Sequence, residues 1–218
     1  MAIIIDGNGR WARSRGLPVD AGHAAGADTL QARVLDAAEL DIAEFSVYSF
    51  STENWSRPPS EVQALLSLVT RRIETVTPEL HREGVKVRFI GRPEGLGSEL
   101  LHQMRAAEAT TAENRRMTLL IAFNYGGRRE ILDAAARFTE GGESEFRRLL
   151  YAPDVHDPDL IIRTGGEQRL SNYMLWQAAY SELVFREELW PDFTRRGLED
   201  ALAEFSERRR RFGRREDE

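Results

Sequence analysis

MTLLIAFNYGGRREILDAAARF, residues 117–138, sets the architecture. Seven apolar or β-favouring residues (117–123) run without alternation, as in a strand covered on both faces. Asn124-Tyr-Gly-Gly then turns the chain into a helical pattern over 126–138. A strand buried on both sides and followed directly by a helix is the half-unit of a parallel sheet. Outward from this stretch the same alternation recurs. Strands are predicted at 2–5, 44–50, 86–91 and 159–164, and helices at 22–40, 97–114 and 197–213. A further long helix starts after Ser60, read as its N-cap with Glu61 in the first turn. The stretch 172–185 stays undecided between helix and strand. The expected fold is α/β: a mainly parallel central sheet with helices on both faces, in one domain over residues 1–218.

Composition removes several function classes. The 218 residues carry 30 basic and 36 acidic side chains, a net charge of −6, so no overall basicity points to nucleic acid. Cysteine is absent, which excludes disulfides, thiolate metal sites and a cysteine nucleophile, and suits a cytoplasmic protein. No apolar run approaches the ~20 residues of a membrane span, and the first residues do not read as a signal peptide, so no membrane anchor is expected. Lys86 is the one lysine; the remaining basic charge is arginine.

The polar signals gather where the strands end. Asp6-Gly-Asn-Gly-Arg10 follows the first strand and Phe50-Ser-Thr-Glu-Asn-Trp-Ser-Arg57 the second. Asn124-Tyr-Gly-Gly-Arg128 follows the apolar strand, and Arg163-Thr-Gly-Gly-Glu-Gln-Arg169-Leu-Ser-Asn172 the last. In parallel sheets ligands collect beyond the carboxyl ends of the strands. Glycines let backbone N–H groups approach an anion, and the guanidinium fork matches phosphate oxygens. Neither a Walker A loop nor a GxGxxG fingerprint is present, so the reading is one or two diphosphate sites rather than a nucleotide site. Asp6 beside a diphosphate suggests Mg²⁺, an ion that takes few protein carboxylates. Glu182 is a second acid among apolar neighbours, and His23, at a helix start, could donate to a phosphate or shuttle a proton. The aromatics Trp11, Phe50, Trp55, Tyr125 and Trp176 interleave with these motifs and could wall an apolar tail, with a cation–π face toward a developing carbocation.

Taken in order, DGNGRWA, GHAAG, FSTENWSRP, FNYGGR, DLIIRTGGEQRLSN, LWQ, YSELVF, LWPDF and RRFG resemble the cis-prenyltransferases, the isoprenyl diphosphate synthases that include undecaprenyl diphosphate synthase. The resemblance covers essentially the whole chain. It implies a homodimeric fold with an apolar substrate tunnel, and condensation of an allylic prenyl diphosphate with isopentenyl diphosphate, in cis and head-to-tail, releasing pyrophosphate. It makes Asp6 the essential carboxylate and Mg²⁺ ligand. Gly7, Asn8, Gly9, Arg10 and His23 become the cradle of the allylic diphosphate, and Arg163, Arg169 and Ser171 hold the second diphosphate. Glu182 assists Mg²⁺ across a dimer interface. Ser51, Asn54, Trp55 and Arg57 order the substrates and the proton-accepting centre, while Arg211 and Gly213 reach toward the partner's site.

Two departures stand out. The family pattern places an arginine four residues before the histidine, where this chain has Val19; Arg13 or Arg15 would have to substitute, or the allylic site is altered. The region between the NYGGR and DLIIRTGGE motifs is short, which implies a short tunnel and a product of about ten to fifteen carbons. Both departures keep open an irregular head-to-middle joining of two dimethylallyl diphosphates to a lavandulyl-type, even cyclised, product. A non-catalytic partner subunit is the alternative of another class, although such subunits lose Asp6 and the arginine-glycine loop.

Overall fold

The computed structural model describes residues 1–208; Arg211 and Gly213 lie outside the described residues. Six strands form one sheet: β1 (Ala2–Ile4), β2 (Glu44–Ser51), β3 (Val85–Ile90), β4 (Met117–Tyr125), β5 (Leu160–Arg163) and β6 (Glu182–Phe185), in the order β3-β4-β2-β1-β5-β6. Every pairing is parallel, so the sheet is wholly rather than mainly parallel. β1 lies between β2 and β5, and Ile4 aligns with Tyr48 on one side and Arg163 on the other. Since β2 continues to one side and β5 begins the other, β1 and β5 flank the point where the strand order reverses. Crevices beyond the carboxyl ends of such a pair are where open parallel sheets take ligands.

The helices are α1 (Asn8–Ser14), α2 (Val19–Glu39), α3 (Pro59–Arg82), α4 (Ser98–Thr110), α5 (Gly127–Ala135), α6 (Glu143–Arg147) and α7 (Arg195–Glu207). On one face, Ile3, Val47, Val87, Leu119 and Ile162 pack with Val34 and Ala38 of α2, Leu80 of α3 and Leu198 of α7. α3 earns that place by its pattern: Val62, Leu66, Val69, Ile73, Val76 and Leu80 recur at three- and four-residue spacing, an apolar stripe. On the other face Ile4, Tyr48, Ala122 and Ile161 pack against Tyr173, Met174 and Val155 of the connecting loops. There Tyr125 and Gln177 donate to the buried carboxylate of Glu130, on α5.

Several boundaries differ from the sequence reading, for local reasons. α1 was not foreseen: its sequence opens with Asn-Gly, poor helix formers, and it starts only because Gly7 takes the left-handed backbone (φ 113°) at the N-cap. α3 starts at Pro59 with Pro58, not Ser60, at the N-cap; proline at the first position has its φ pre-set for a helix. α2 starts at Val19, so His23 sits inside the helix rather than at its cap. The undecided stretch 172–185 resolves into a 3₁₀ turn (Gln177–Tyr180) and β6.

Candidate active site

Asp6 is the hub. Its backbone N–H donates to Thr164 Oγ1 (3.0 Å), and that hydroxyl donates back to the Asp6 carbonyl (2.9 Å), which fixes the end of β1 to the end of β5. Its carboxylate accepts from Arg163 Nη2 (2.8 Å) and Arg10 Nη2 (3.1 Å). The first bond exists because the β1–β5 register sets Arg163 beside Ile4, two residues before Asp6. Arg163 is only 4 % exposed and also donates through Nη1 to the Arg169 carbonyl (2.5 Å) and to Ser171 Oγ (2.6 Å). Arg169 itself pairs with Glu167. Gly165 is required here. Its φ is +84°, and a Cβ would lie 2.6 Å from Arg10 Nη2 and 3.1 Å from the Asp6 carbonyl oxygen.

Beside this hub opens a polar cavity of about 310 Å³, lined by Asp6, Gly7, Asn8, Gly9, Arg10, Arg13, Val19, His23, Arg57 and Glu61 among others. Arg57 donates to Glu61 (3.1 Å). His23 Nε2 stands 3.6 Å from the same carboxylate, an ion-pair separation too long for a hydrogen bond, and it has no hydrogen-bond partner. Arg163 Nε is likewise buried without a partner. Burial, and then the nearby Arg57, hold the His23 pKa below its ordinary value against the opposing pull of Glu61. Two arginines compete to stand in near Val19, and the structure separates them. Arg15 is engaged elsewhere, paired with Asp192 (3.1 Å) and stacked 4.4 Å over the Trp11 ring. Arg13 lines the cavity, with its guanidinium close to Gly9.

A second cavity, of about 150 Å³ and mostly apolar, runs between α2, α3 and the sheet. Its wall includes Leu30, Phe50, Leu68, Val69, Ile121 and Phe123. Ile5, Asn8 and His23 line both cavities, so the polar and apolar spaces adjoin. A register irregularity between β2 and β4 at Tyr48–Ser51 sits where β2 delivers Phe50 to that wall and Ser51 to the loop beyond. In that loop Ser51 N–H donates to Asn54 Oδ1 (3.0 Å), part of a reciprocal cap. Trp55 Nε1 donates to Asn124 Oδ1 (2.8 Å), and its ring meets Phe50 edge-on.

Not every expected residue joins. Trp11 donates its indole N–H to Asp192 (2.7 Å) and lines neither cavity. Tyr125 packs on the opposite face of the sheet and Trp176 against Phe146. Glu182 lies at the amino end of β6, aligned with Leu160 while Arg163 aligns with Phe185, so it occupies the edge away from Asp6 and pairs with Arg208 (3.0 Å). Among the described residues no group of three or more His, Cys, Asp or Glu could hold a metal ion. Sequence reading offered Arg13 only as one of two stand-ins, passed over Thr164 and Glu53 as site residues, and took Glu61 only for a first-turn acid of its helix. The last was open to detection as an acid four residues after Arg57 on a helical approach.

A family model described as "Putative undecaprenyl diphosphate synthase" matches residues 4–213. The chain belongs to the cis-prenyltransferase family. It is 52% identical over 222 residues to an isoprenyl transferase of Thermotoga maritima, covering 98% of this chain and 95% of that one. It is 45% identical to a trans,polycis-polyprenyl diphosphate synthase, "(2Z,6E)-farnesyl diphosphate specific", of Thermobifida fusca, covering 98% and 79%. Among solved structures it superposes on lavandulyl diphosphate synthase from Lavandula x intermedia, in complex with dimethylallyl diphosphate, with a TM-score of 0.93, 33% identity and coverage of 97% and 96%. It also superposes on "a probable undecaprenyl diphosphate synthase" from Campylobacter jejuni, with a TM-score of 0.83, 32% identity and coverage of 98% and 97%. This cis-prenyltransferase family member is therefore a transferase that condenses prenyl diphosphates. Among its described residues no helix is long and apolar enough to cross a membrane.

Proposed function

We propose that this cis-prenyltransferase family member joins an allylic prenyl diphosphate to isopentenyl diphosphate, head-to-tail and in cis, yielding a short prenyl diphosphate of about ten to fifteen carbons. The observation that carries this is the adjoining pair of cavities: one polar and arginine-lined, one apolar, sharing Ile5, Asn8 and His23. A ligand matching both has an anionic head and a hydrocarbon tail. An apolar space of about 150 Å³ is the size that holds one benzene ring, close to one isoprene unit. A longer tail needs more room than this space, among whose lining side chains are Leu65, Leu68 and Ile73, and this favours a short product.

In this reading the allylic C1–O bond ionises, its electron pair leaves with the diphosphate, the isopentenyl double bond attacks C1, and a proton departs from the new chain. Gly7, Gly9, Arg10 and Arg13 receive the departing charge with Asn8 and His23 beside them; Arg163, Arg169 and Ser171 hold the second diphosphate. Phe50 lines the apolar wall, and Ser51, Asn54, Trp55 and Arg57 order the approach on the adjoining segment. Excluding water from the apolar cavity protects the cation from hydrolysis. Asp6 would hold Mg²⁺, an ion that takes few protein carboxylates, and the chemistry supplied there would be charge neutralisation at the leaving group. Glu182 can share that ion only if a second chain brings it, and this makes the working form a homodimer. The setting proposed is cytoplasmic.

The 0.93 TM-score to lavandulyl diphosphate synthase favours a second reading, head-to-middle joining of two dimethylallyl diphosphates. One assay separates them. The head-to-tail reading expects product from dimethylallyl plus isopentenyl diphosphate, and none from dimethylallyl diphosphate alone, by mass spectrometry. Product from dimethylallyl diphosphate alone overturns it.

A further inference from the structure

We propose that Asn172 is a positioning residue that locks the segment 51–57 to the loop 163–172, so that the two halves of the candidate active site are aligned as one body. Asn172, in the loop after β5, bonds two other strand-end loops at once. Its backbone carbonyl accepts from Gly127 N–H (2.7 Å) and its Oδ1 accepts from Arg128 N–H (2.8 Å), both after β4. Its Nδ2 donates to Glu53 Oε1 (2.7 Å), after β2. One residue away, Ser171 accepts from Arg163.

Three further observations fit a built junction rather than a chance surface contact. Ser171, Asn172 and Met174 all hold positive φ (48°, 64° and 44°), conformations that non-glycine residues keep only where the surroundings hold them. Asparagine tolerates this region better than most, which suits it to the central place. Gly126 leaves the space the junction needs: a Cβ there would meet Thr52 Oγ1 at 2.7 Å and Asn172 Nδ2 at 2.8 Å. Finally, burial pushes the Glu53 carboxyl upward, but hydrogen bonds led by the one from Asn172 outweigh it and hold the pKa below the ordinary value. The pair is therefore a carboxylate meeting an amide donor across neutral pH.

Asn172 does not act on substrate. The segment it anchors carries Ser51, Asn54, Trp55 and Arg57, while its own loop carries Arg163, Arg169 and Ser171. What those groups align rests on the proposed function; the coupling itself does not. Hydrogen exchange read by mass spectrometry tests the coupling without any assumption about the reaction. In Asn172→Ala, amides 51–57 should exchange faster although the substitution lies in another loop; unchanged exchange there overturns the proposal. A double-mutant cycle tests its consequence. Asn172→Asp places two carboxylates face to face and should lower kcat/KM for the isopentenyl substrate about 10- to 100-fold, with KM rising. In a Glu53→Gln background, where a Gln amide can donate to the new carboxylate, the same change should cost little. Equal losses in both backgrounds refute a role exerted through Glu53. If exchange is coupled and yet no prenyl product forms from any substrate pair, the proposed reaction fails and the positioning role stands.

Discussion

Replacing Asp6 by Asn keeps the shape of the hub and removes its charge. The backbone clasp with Thr164 does not use the side chain and survives. Two charge-assisted bonds weaken, those from Arg163 and Arg10. The Arg10 pair is well exposed and contributes little, whereas the Arg163 pair involves a guanidinium with only 5% side-chain exposure. Together the loss is about 1–2 kcal/mol, or about 2–8 °C in melting temperature for a chain of this size. Catalysis should fall much further. A unit charge about 4 Å from its partner is worth about 4 kcal/mol at the effective dielectric of a protein surface, which caps the loss in kcat/KM near 10³-fold, with about 10²-fold as the floor. Binding should move the other way: without Mg²⁺, Asp6 repels a diphosphate, so Asp6→Asn should bind inorganic pyrophosphate as well as or better than the parent. The assay is steady-state product formation with Mg²⁺ present, alongside calorimetric titration of pyrophosphate without it. Retention of kcat/KM within about threefold, in a protein that melts normally, refutes the role given to Asp6.

Three further outcomes are expected. If Asp6 and Glu182 complete one site from two chains, mixing inactive Asp6→Asn and Glu182→Gln proteins should restore about a quarter of parental activity, since half the dimers are mixed and each then holds one intact site; no recovery after verified subunit exchange rejects the shared site. Arg13→Ala should raise the allylic KM about tenfold, and Val19→Arg in that background should recover most of it, whereas Arg15→Ala should leave KM unchanged; an Arg13→Ala enzyme with parental KM removes Arg13 from the cradle. His23 has its pKa held below 6.5, so the unfolded chain takes a proton there before the folded one does. Native stability should drop as pH falls below 6.5 toward the folded pKa, and be flat in this contribution above it. His23→Asn should lack that drop when melting is followed from about pH 8 to about pH 5, and a pH-independent gap between the two proteins contradicts the burial argument.

The sheet was legible because strands covered on both faces read as unbroken apolar runs, and 117–123 is such a run. The gathering of arginines and glycines at one edge was legible because strand ends are marked by where those runs stop. Other features depend on tertiary contact and leave little local trace. α1 hides behind Asn-Gly because its start depends on the backbone of Gly7. Asn172 reads as a loop asparagine until two other loops converge on it. Where Glu182 stands within its own chain was not legible, because residue type says nothing of which end of a strand it occupies, and β6 puts it at the edge away from Asp6. The choice between Arg13 and Arg15 turned on Asp192, 177 residues from Arg15, which no short window shows.

The bond between Asp6 and Arg163 joins neighbouring strands but spans 157 residues of chain. During synthesis the carboxylate emerges from the ribosome 157 residues before its guanidinium partner. β1 can pair with β2 early, yet its other flank stays open until β5 arrives, and closing so long a loop is a slow, late event. Nascent or truncated chains therefore lack a competent centre, and the appearance of turnover in a refolding experiment times the docking of the last two strands.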